Sequence, residues 1–229
     1  MFTGLVESCV AVLSLEPAGT GARLVLARPE LAPDAPAWEP RLGESLSISG
    51  CCLTLIEVGP GGELGFDLSS ETLALTWFGE FLSRAEAAAS GDRVVNLERS
   101  VRLADRLGGH LVSGHVDGVG RIAAIASSGD GGRCITFEVP PDANGAPDAN
   151  GANGANGGRF ERFLVPKGSI TVDGISLTVV APRATRFDVA VIPETLARTS
   201  LGRARVGQRV HLEADQIGKW VERLLAYRS

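Results

Sequence analysis

Apolar and polar residues alternate along most of the chain. ESLSIS (44–49) puts Leu46 and Ile48 on one face, GELGFDLS (62–69) puts Leu64, Phe66 and Leu68 on one face, and GSITVDG (168–174) does the same with Ile170 and Val172. A period of two is that of a strand with one buried side. GPGG (59–62) and the glycines at 43, 91, 168 and 207 punctuate these runs. Short strands with frequent turns predict a small antiparallel barrel or sandwich. The end of the chain has another period. In QIGKWVERLLAYRS, Ile217, Trp220, Val221, Leu224 and Leu225 recur at i, i+3, i+4, i+7 and i+8, one stripe of a helix with Asp215 placed to cap it. The stripe has two destinations: the chain's own barrel, or copies of itself in an oligomer. SRAEAAAS (83–90) and SVRLADRLGG (100–109) each have room for a helical turn, the second joining two halves.

The halves are visible as a repeat. GESLSISGCCLTLI (43–56) aligns with KGSITVDGISLTVV (167–180), and FTGLVES (2–8) with VSGHVDG (112–118). FDLSSETLALT (66–76) echoes FDVAVIPETLARTS (187–200), and GDRVVNLE (91–98) echoes GQRVHLE (207–213). Four collinear echoes make a duplicated fold, one barrel per copy. The offset grows between the first and second echoes, so the second copy carries an insertion. PPDANGAPDANGANGANGG (140–158) has nothing to bury and reads as a disordered or mobile loop.

Composition narrows the function. A net charge of −5 argues against a nucleic-acid partner, which needs clustered Lys and Arg. No run approaches the eighteen apolar residues of a membrane span, and the first residues lack a signal-peptide pattern. The four cysteines (Cys9, Cys51, Cys52, Cys134) show no disulfide or zinc spacing, so a reduced, cytoplasmic setting is expected. Cys51 and Cys52 are neighbours and cannot easily bridge each other. On a strand they face opposite ways, Cys51 toward a core and Cys52 away. In the second copy their places are taken by Ile175 and Ser176.

MFTGLVE, GCCLT, GGHLVSGHVDG (108–118), KGSITVDGISLTV (167–179) and IPETLARTSLG (192–202) together resemble the riboflavin synthase family, alpha-subunit type, built of lumazine-binding repeats. The resemblance spans nearly the whole chain apart from the insertion. It implies an all-β fold: two similar six-stranded antiparallel Greek-key barrels in tandem, then a C-terminal α-helix that builds a homotrimer. The expected division is 1–110 for the first lumazine-binding barrel, 111–215 for the second with the insertion at about 142–158, and 216–229 for the oligomerisation helix. The implied reaction is transfer of a four-carbon unit between two molecules of 6,7-dimethyl-8-ribityllumazine. It yields riboflavin and 5-amino-6-(D-ribitylamino)uracil with no metal or organic cofactor. A duplicated fold suits two identical substrates, one donor and one acceptor.

The resemblance also implies site residues. Cys52 matches a catalytically implicated cysteine that could act as nucleophile, hydrogen-bond donor or pocket wall. Ser45 matches a serine near a substrate ring, and His115 a histidine able to move a proton near neutral pH. Lys167 matches a substrate contact. Asp215 matches an acidic residue linked to catalysis, a role compatible with capping. His110 is expected only to orient a turn. Ligand contacts are expected from equivalent segments of each copy. The first set is Gly4, Leu5 and Val6; Cys52, Leu53 and Thr54; and Asp67, Leu68, Ser69, Ser70, Glu71 and Thr72. The second is Gly114, His115 and Val116; Ser176, Leu177 and Thr178; and Ala190, Val191, Ile192, Pro193, Glu194 and Thr195. Glycine at 4 and 114 permits close backbone approach, and Phe2 could stack on a ring.

Three other readings compete. A non-catalytic lumazine- or flavin-binding antenna or carrier of the same fold would tend to have lost the motif residues of its second half, whereas GHVDG, DGISLT and IPETL all persist. A flavin reductase would need a GxGxxG after a strand, which is absent. A structural barrel repeat explains the duplication but not the shared polar positions.

Overall fold

A computed structural model of the chain describes residues 1–33, 35, 38–83, 93–139 and 160–226. The insertion expected at about 142–158 and most of SRAEAAAS lie outside these residues.

The first half is a closed barrel. Its strands are β1 (Ser8–Ala18), β2 (Gly21–Leu26), β3 (Ser45–Ile48), β4 (Cys51–Val58), β5 (Leu64–Leu68) and β6 (Val94–Arg99). They run in the order β1-β2-β5-β4-β3-β6, every neighbouring pair antiparallel. The alternation read from sequence fills the interior, where Leu46, Ile48, Leu55, Leu64, Phe66 and Leu97 are fully buried. Two short helices, α1 (Ser70–Leu75) and α2 (Trp77–Ser83), follow β5, and α2 adds Trp77, Phe78 and Phe81 to the same core.

The second half repeats the plan with β7 (Gly118–Ser127), β8 (Arg133–Glu138), β9 (Ser169–Val172), β10 (Ile175–Thr178), β11 (Val180–Arg183), β12 (Arg186–Val191) and β13 (Arg209–Ala214). Six strands were expected and seven are found, in the order β10-β9-β13-β7-β8-β12-β11. The extra one comes from a break. β4 of the first barrel runs unbroken through an irregularity between Leu55 and Glu57. Its counterpart splits at the buried Val179, and Ala181 beyond it takes a positive φ of 45°. The sheet curls until β10 and β11, its two edges, meet through that one residue. Helix α3 (Pro193–Arg198) follows β12 as α1 follows β5.

Residues 100–109 hold a turn, Asp105 N donating to Arg102 O at 3.0 Å. Asp105 Oδ2 accepts from Arg102 N at 2.8 Å, and Gly108 and Gly109 end any helical tendency. The C-terminal helix α4 (Gln216–Ala226) is present and capped, with Asp215 Oδ1 accepting from Ile217 N at 2.9 Å. It docks on its own barrel by its polar side: Lys219 pairs with Asp117 at 2.6 Å, and Glu222 pairs with Arg162. Ile217, Trp220, Val221, Leu224 and Leu225 remain 51–64% exposed. Packing of the stripe on its own barrel is therefore overturned. No helix among the described residues is long and apolar enough to cross a membrane.

Candidate functional site

Both candidate strands begin at matching hairpins. β3 and β4 are joined by Ser49-Gly50 (φ 46° and 82°), and β9 and β10 by Asp173-Gly174 (φ 45° and 78°). Positive φ at both turn residues is the two-residue turn that matches strand twist. The hairpins sit back to back. A Cβ on Gly50 would lie 2.7 Å from Gly174 N, and one on Gly174 would lie 2.7 Å from Gly50 N. Only glycine permits this reciprocal approach of the two halves.

Each hairpin shows a polar outer face. In the first, Ser47 is opposite Cys52 and Ser45 opposite Thr54; in the second, Thr171 is opposite Ser176 and Ser169 opposite Thr178. Cys51, Leu53 and Leu177 point into the cores. Burial pushes the Cys51 thiol up to about 12, so it stays protonated and acts as a small apolar group. Cys52 is half-buried, while Thr54 and Thr178 are exposed.

The segment preceding each barrel crosses to the other barrel's hairpin. Cys52 N donates to Gly114 O at 2.7 Å, and Ser176 N donates to Gly4 O at 2.8 Å. A Cβ on Gly114 would sit 2.7 Å from Cys52 Cβ, and one on Gly4 would sit 2.6 Å from Ser176 Cβ. Val116 packs on the first core and Val6 on the second. The grouping by copy expected from sequence is thus exchanged. Gly114, His115 and Val116 accompany Cys52 and Thr54, while Gly4, Leu5 and Val6 accompany Ser176 and Thr178.

Two buried carboxylates anchor the crossing segments. Glu98 accepts from Thr3 N (2.6 Å), Thr3 Oγ1 (2.8 Å) and Gly4 N (3.0 Å). Glu213 accepts from Ser113 N (2.8 Å), Ser113 Oγ (2.6 Å) and Gly114 N (3.0 Å). Burial raises the pKa of both, and the donated hydrogen bonds oppose it. Neither carboxylate is among the site residues expected from sequence, although each closes a repeated motif, NLE in one copy and HLE in the other.

The remaining positions fall into three groups. Phe2 does not present a ring to solvent. It is fully buried and pairs by backbone with Val112, Phe2 N donating to Val112 O at 2.8 Å. The side chains of Leu68 and Val191 are likewise buried, which leaves only their backbone available to a ligand. Asp67, Ser69, Ser70 and Glu71 line one rim and Ala190, Ile192, Pro193 and Glu194 the other, all exposed, with Thr72 and Thr195 half-buried beside them. Asp67 is held by Arg23 at 2.9 Å. Ser45 is half-buried and its carbonyl accepts from Ser100 Oγ at 2.6 Å. His115 is exposed next to the Gly114–Cys52 contact.

Lys167 and His110 also break the symmetry of the two copies. Lys167 has φ 65° where the first copy has Gly43 at φ 89°. A lysine in this left-handed conformation costs about 1 kcal/mol, a strain that functional positions retain. His110 is buried and spans Ser176 Oγ (Nδ1, 2.7 Å) and Thr171 Oγ1 (Nε2, 3.1 Å). Burial lowers its pKa, and the nearby Asp215 carboxylate opposes this. The expectation that it merely orients a turn misses this chain of hydroxyls, which nothing among the described residues of the first copy matches. A cleft of about 750 Å³ lies along Leu5, Val6, Glu7, Trp38, Arg99 and Arg198, and neither Cys52 nor Ser176 lines it.

The family model for the lumazine binding domain matches twice, at residues 3–100 and 113–215. The chain is 40% identical over 228 residues to a riboflavin synthase of Mycobacterium tuberculosis (strain ATCC 25618 / H37Rv), covering 98% of each protein. It is 35% identical over 233 residues to a riboflavin synthase of Escherichia coli (strain K12), covering 100% of this chain and 95% of that one. Among solved structures, LumP complexed with 6,7-dimethyl-8-(1'-D-ribityl) lumazine superposes with a TM-score of 0.70 at 18% identity. That match covers 93% of this chain and 99% of the other. LumP complexed with riboflavin gives the same values, and at this identity both speak to fold.

Proposed function

The chain belongs to the riboflavin synthase family, and from that premise we propose that it converts two molecules of 6,7-dimethyl-8-ribityllumazine into riboflavin and 5-amino-6-(D-ribitylamino)uracil. A four-carbon unit leaves one ring system and joins the other, so atoms and electrons balance with nothing else consumed. The observation that carries this reading is a pair of like-shaped half-sites of unlike chemistry in one chain. One offers the Cys52 thiol with Ser45, Thr54 and His115; the other offers Ser176, wired to His110, with Thr178 and Lys167. Equal shape suits two copies of one substrate, and unequal chemistry suits a donor and an acceptor.

In this reading Cys52 either adds to the electrophilic C=N carbon of one lumazine, the π electron pair passing to the ring nitrogen and returning when the sulfur leaves, or donates a hydrogen bond to that nitrogen. His115, beside it, carries the proton lost from a ring methyl. Backbone N–H and C=O groups of the rims hold the pyrimidinedione edges, and threonine hydroxyls hold ring or ribityl oxygens. Lys167 and Asp215 complete the second half-site. Since Thr54 and Thr178 are exposed and α4 presents an uncovered apolar stripe, a homotrimer built through α4 brings the first half-site of one chain against the second of its neighbour.

The test is to supply the purified protein with lumazine alone and follow both species by absorbance. One riboflavin formed per two lumazines consumed supports the reading. Tight binding without turnover replaces it with a carrier of the same fold.

A further inference from the structure

Both hairpins are steadied from the opposite barrel, but by different residues. In the first half Asn96 does this. Its Nδ2 donates to Asp173 O at 2.8 Å, and its Oδ1 accepts from Ser200 N at 2.8 Å. The position matching Asn96 in the second half is His211. Its Nδ1 lies 2.7 Å from Ser49 O, and its Nε2 accepts from Trp77 N at 3.0 Å. A backbone N–H can only donate and a carbonyl can only accept. The partners therefore fix the tautomer: the proton is on Nδ1 and the lone pair on Nε2.

His211 also reaches its own hairpin. Its backbone N donates to Asp173 Oδ1 at 2.8 Å, and the same oxygen accepts from Trp77 Nε1 at 3.1 Å. The ring stacks on Trp77 with centroids 4.8 Å apart and planes 14° apart. His211, Asp173 and Trp77 are each at most 4% exposed. One residue thus bonds the turn three residues before Cys52 and the turn three residues before Ser176.

We propose that His211 is a positioning residue for the reaction. Its Nδ1–H bond to Ser49 O holds the Cys52 hairpin in register with the Ser176 hairpin, while its stacking on Trp77 and the Nε2 bond to Trp77 N serve packing alone. This rests on the function proposed above. The two ring nitrogens can be separated, because asparagine places an amide nitrogen where Nδ1 stands and glutamine places an amide atom where Nε2 stands. His211→Asn keeps the tie to Ser49, as Asn96 ties Asp173. His211→Gln keeps the contact with Trp77 and is closer in size, but loses the tie. Misplacing reacting groups by about 1 Å costs on the order of 100-fold. We expect kcat of His211→Gln to fall at least about tenfold with KM little changed, and His211→Asn to stay within about threefold of the wild type. A filling role predicts the opposite order, and glutamine as active as asparagine overturns the proposal. Should either variant fail to fold, ¹⁵N NMR of the unmodified protein decides. A protected Nδ1–H on His211 is required, and an Nε2–H tautomer overturns the proposal. A wild type that makes no riboflavin counts against the function alone; the tautomer is read independently, and the two variants are then compared in lumazine affinity.

Discussion

The two halves share one backbone plan and differ in what they place on it. At the hairpin the first has Cys52 and the second Ser176; below it the first has Asn96 and the second His211. At the strand entrance the first has Gly43 and the second Lys167. The unchanged features, Gly50 against Gly174 and Glu98 matching Glu213, are those that build the crossing. What varies lies on the outer face, or directly beneath it, so duplication has kept the scaffold and released the chemistry.

The largest effect should come from equalising the hairpins. Cys52→Ser gives the first half-site the second's hydroxyl, and kcat should fall by at least about 100-fold if the thiol is nucleophile or proton donor. Its thermal unfolding should shift by less than about 1 kcal/mol, because the side chain is half-buried and close in size. Ser176→Cys should cost less activity, about tenfold, through the weakened bond to His110. Steady-state kinetics on the pair measures the difference.

The crossing should respond symmetrically. Gly4→Ala and Gly114→Ala each force a Cβ against the opposite hairpin at positive φ. Each should lose about 2–3 kcal/mol of stability, read by denaturant unfolding. A large inequality would mean that the crossings differ in strength despite matching hydrogen bonds.

Lys167→Gly makes the second strand entrance like the first. Relief of left-handed strain should leave stability unchanged or raise it by up to about 1 kcal/mol, while lumazine turnover falls. A loss of stability without loss of turnover would assign Lys167 to the fold.

For the unmodified protein the smallest response is to pH. Burial raises Asp173 from 3.8 to about 7, so between those values the folded protein keeps a proton that the unfolded chain has lost, and stability falls as pH rises. Burial lowers His211 from 6.5 to about 3, so there the unfolded chain holds the extra proton and stability rises with pH. The two slopes cancel from about pH 4 to 6.5, and this pair leaves wild-type stability flat. His211→Asn removes only the rising slope, so its stability should fall by about one proton's worth per pH unit across that range, seen in Tm against pH.

The repeat, the strand alternation and the opposed faces of Cys51 and Cys52 were legible because each is a local pattern with a fixed period. The crossing was not. Nothing in FTGLVES or VSGHVDG says that Gly4 will meet Ser176 and Gly114 will meet Cys52, since the exchange arises only when the two barrels pack against each other. Phe2 looked like a stacking ring because an aromatic beside a site motif does; its burial follows from the pairing with Val112. Glu98 and Glu213 were visible as repeated residues, but a carboxylate at a strand end ordinarily faces solvent, and the donors that hold them come from distant segments. For α4 the stripe itself was legible, while its direction was not: ion pairs through Lys219 and Glu222 fix the polar side inward. The break at Val179 had no signal in a run as apolar as LTVV.

If one chain carries two unlike half-sites, it should hold two substrate molecules at once. Fluorescence titration of the Cys52→Ser protein with 6,7-dimethyl-8-ribityllumazine counts them, because slow turnover preserves the complex. Two lumazines should bind per chain, with distinguishable affinities. A single lumazine per chain would contradict this, leaving one half as scaffold only.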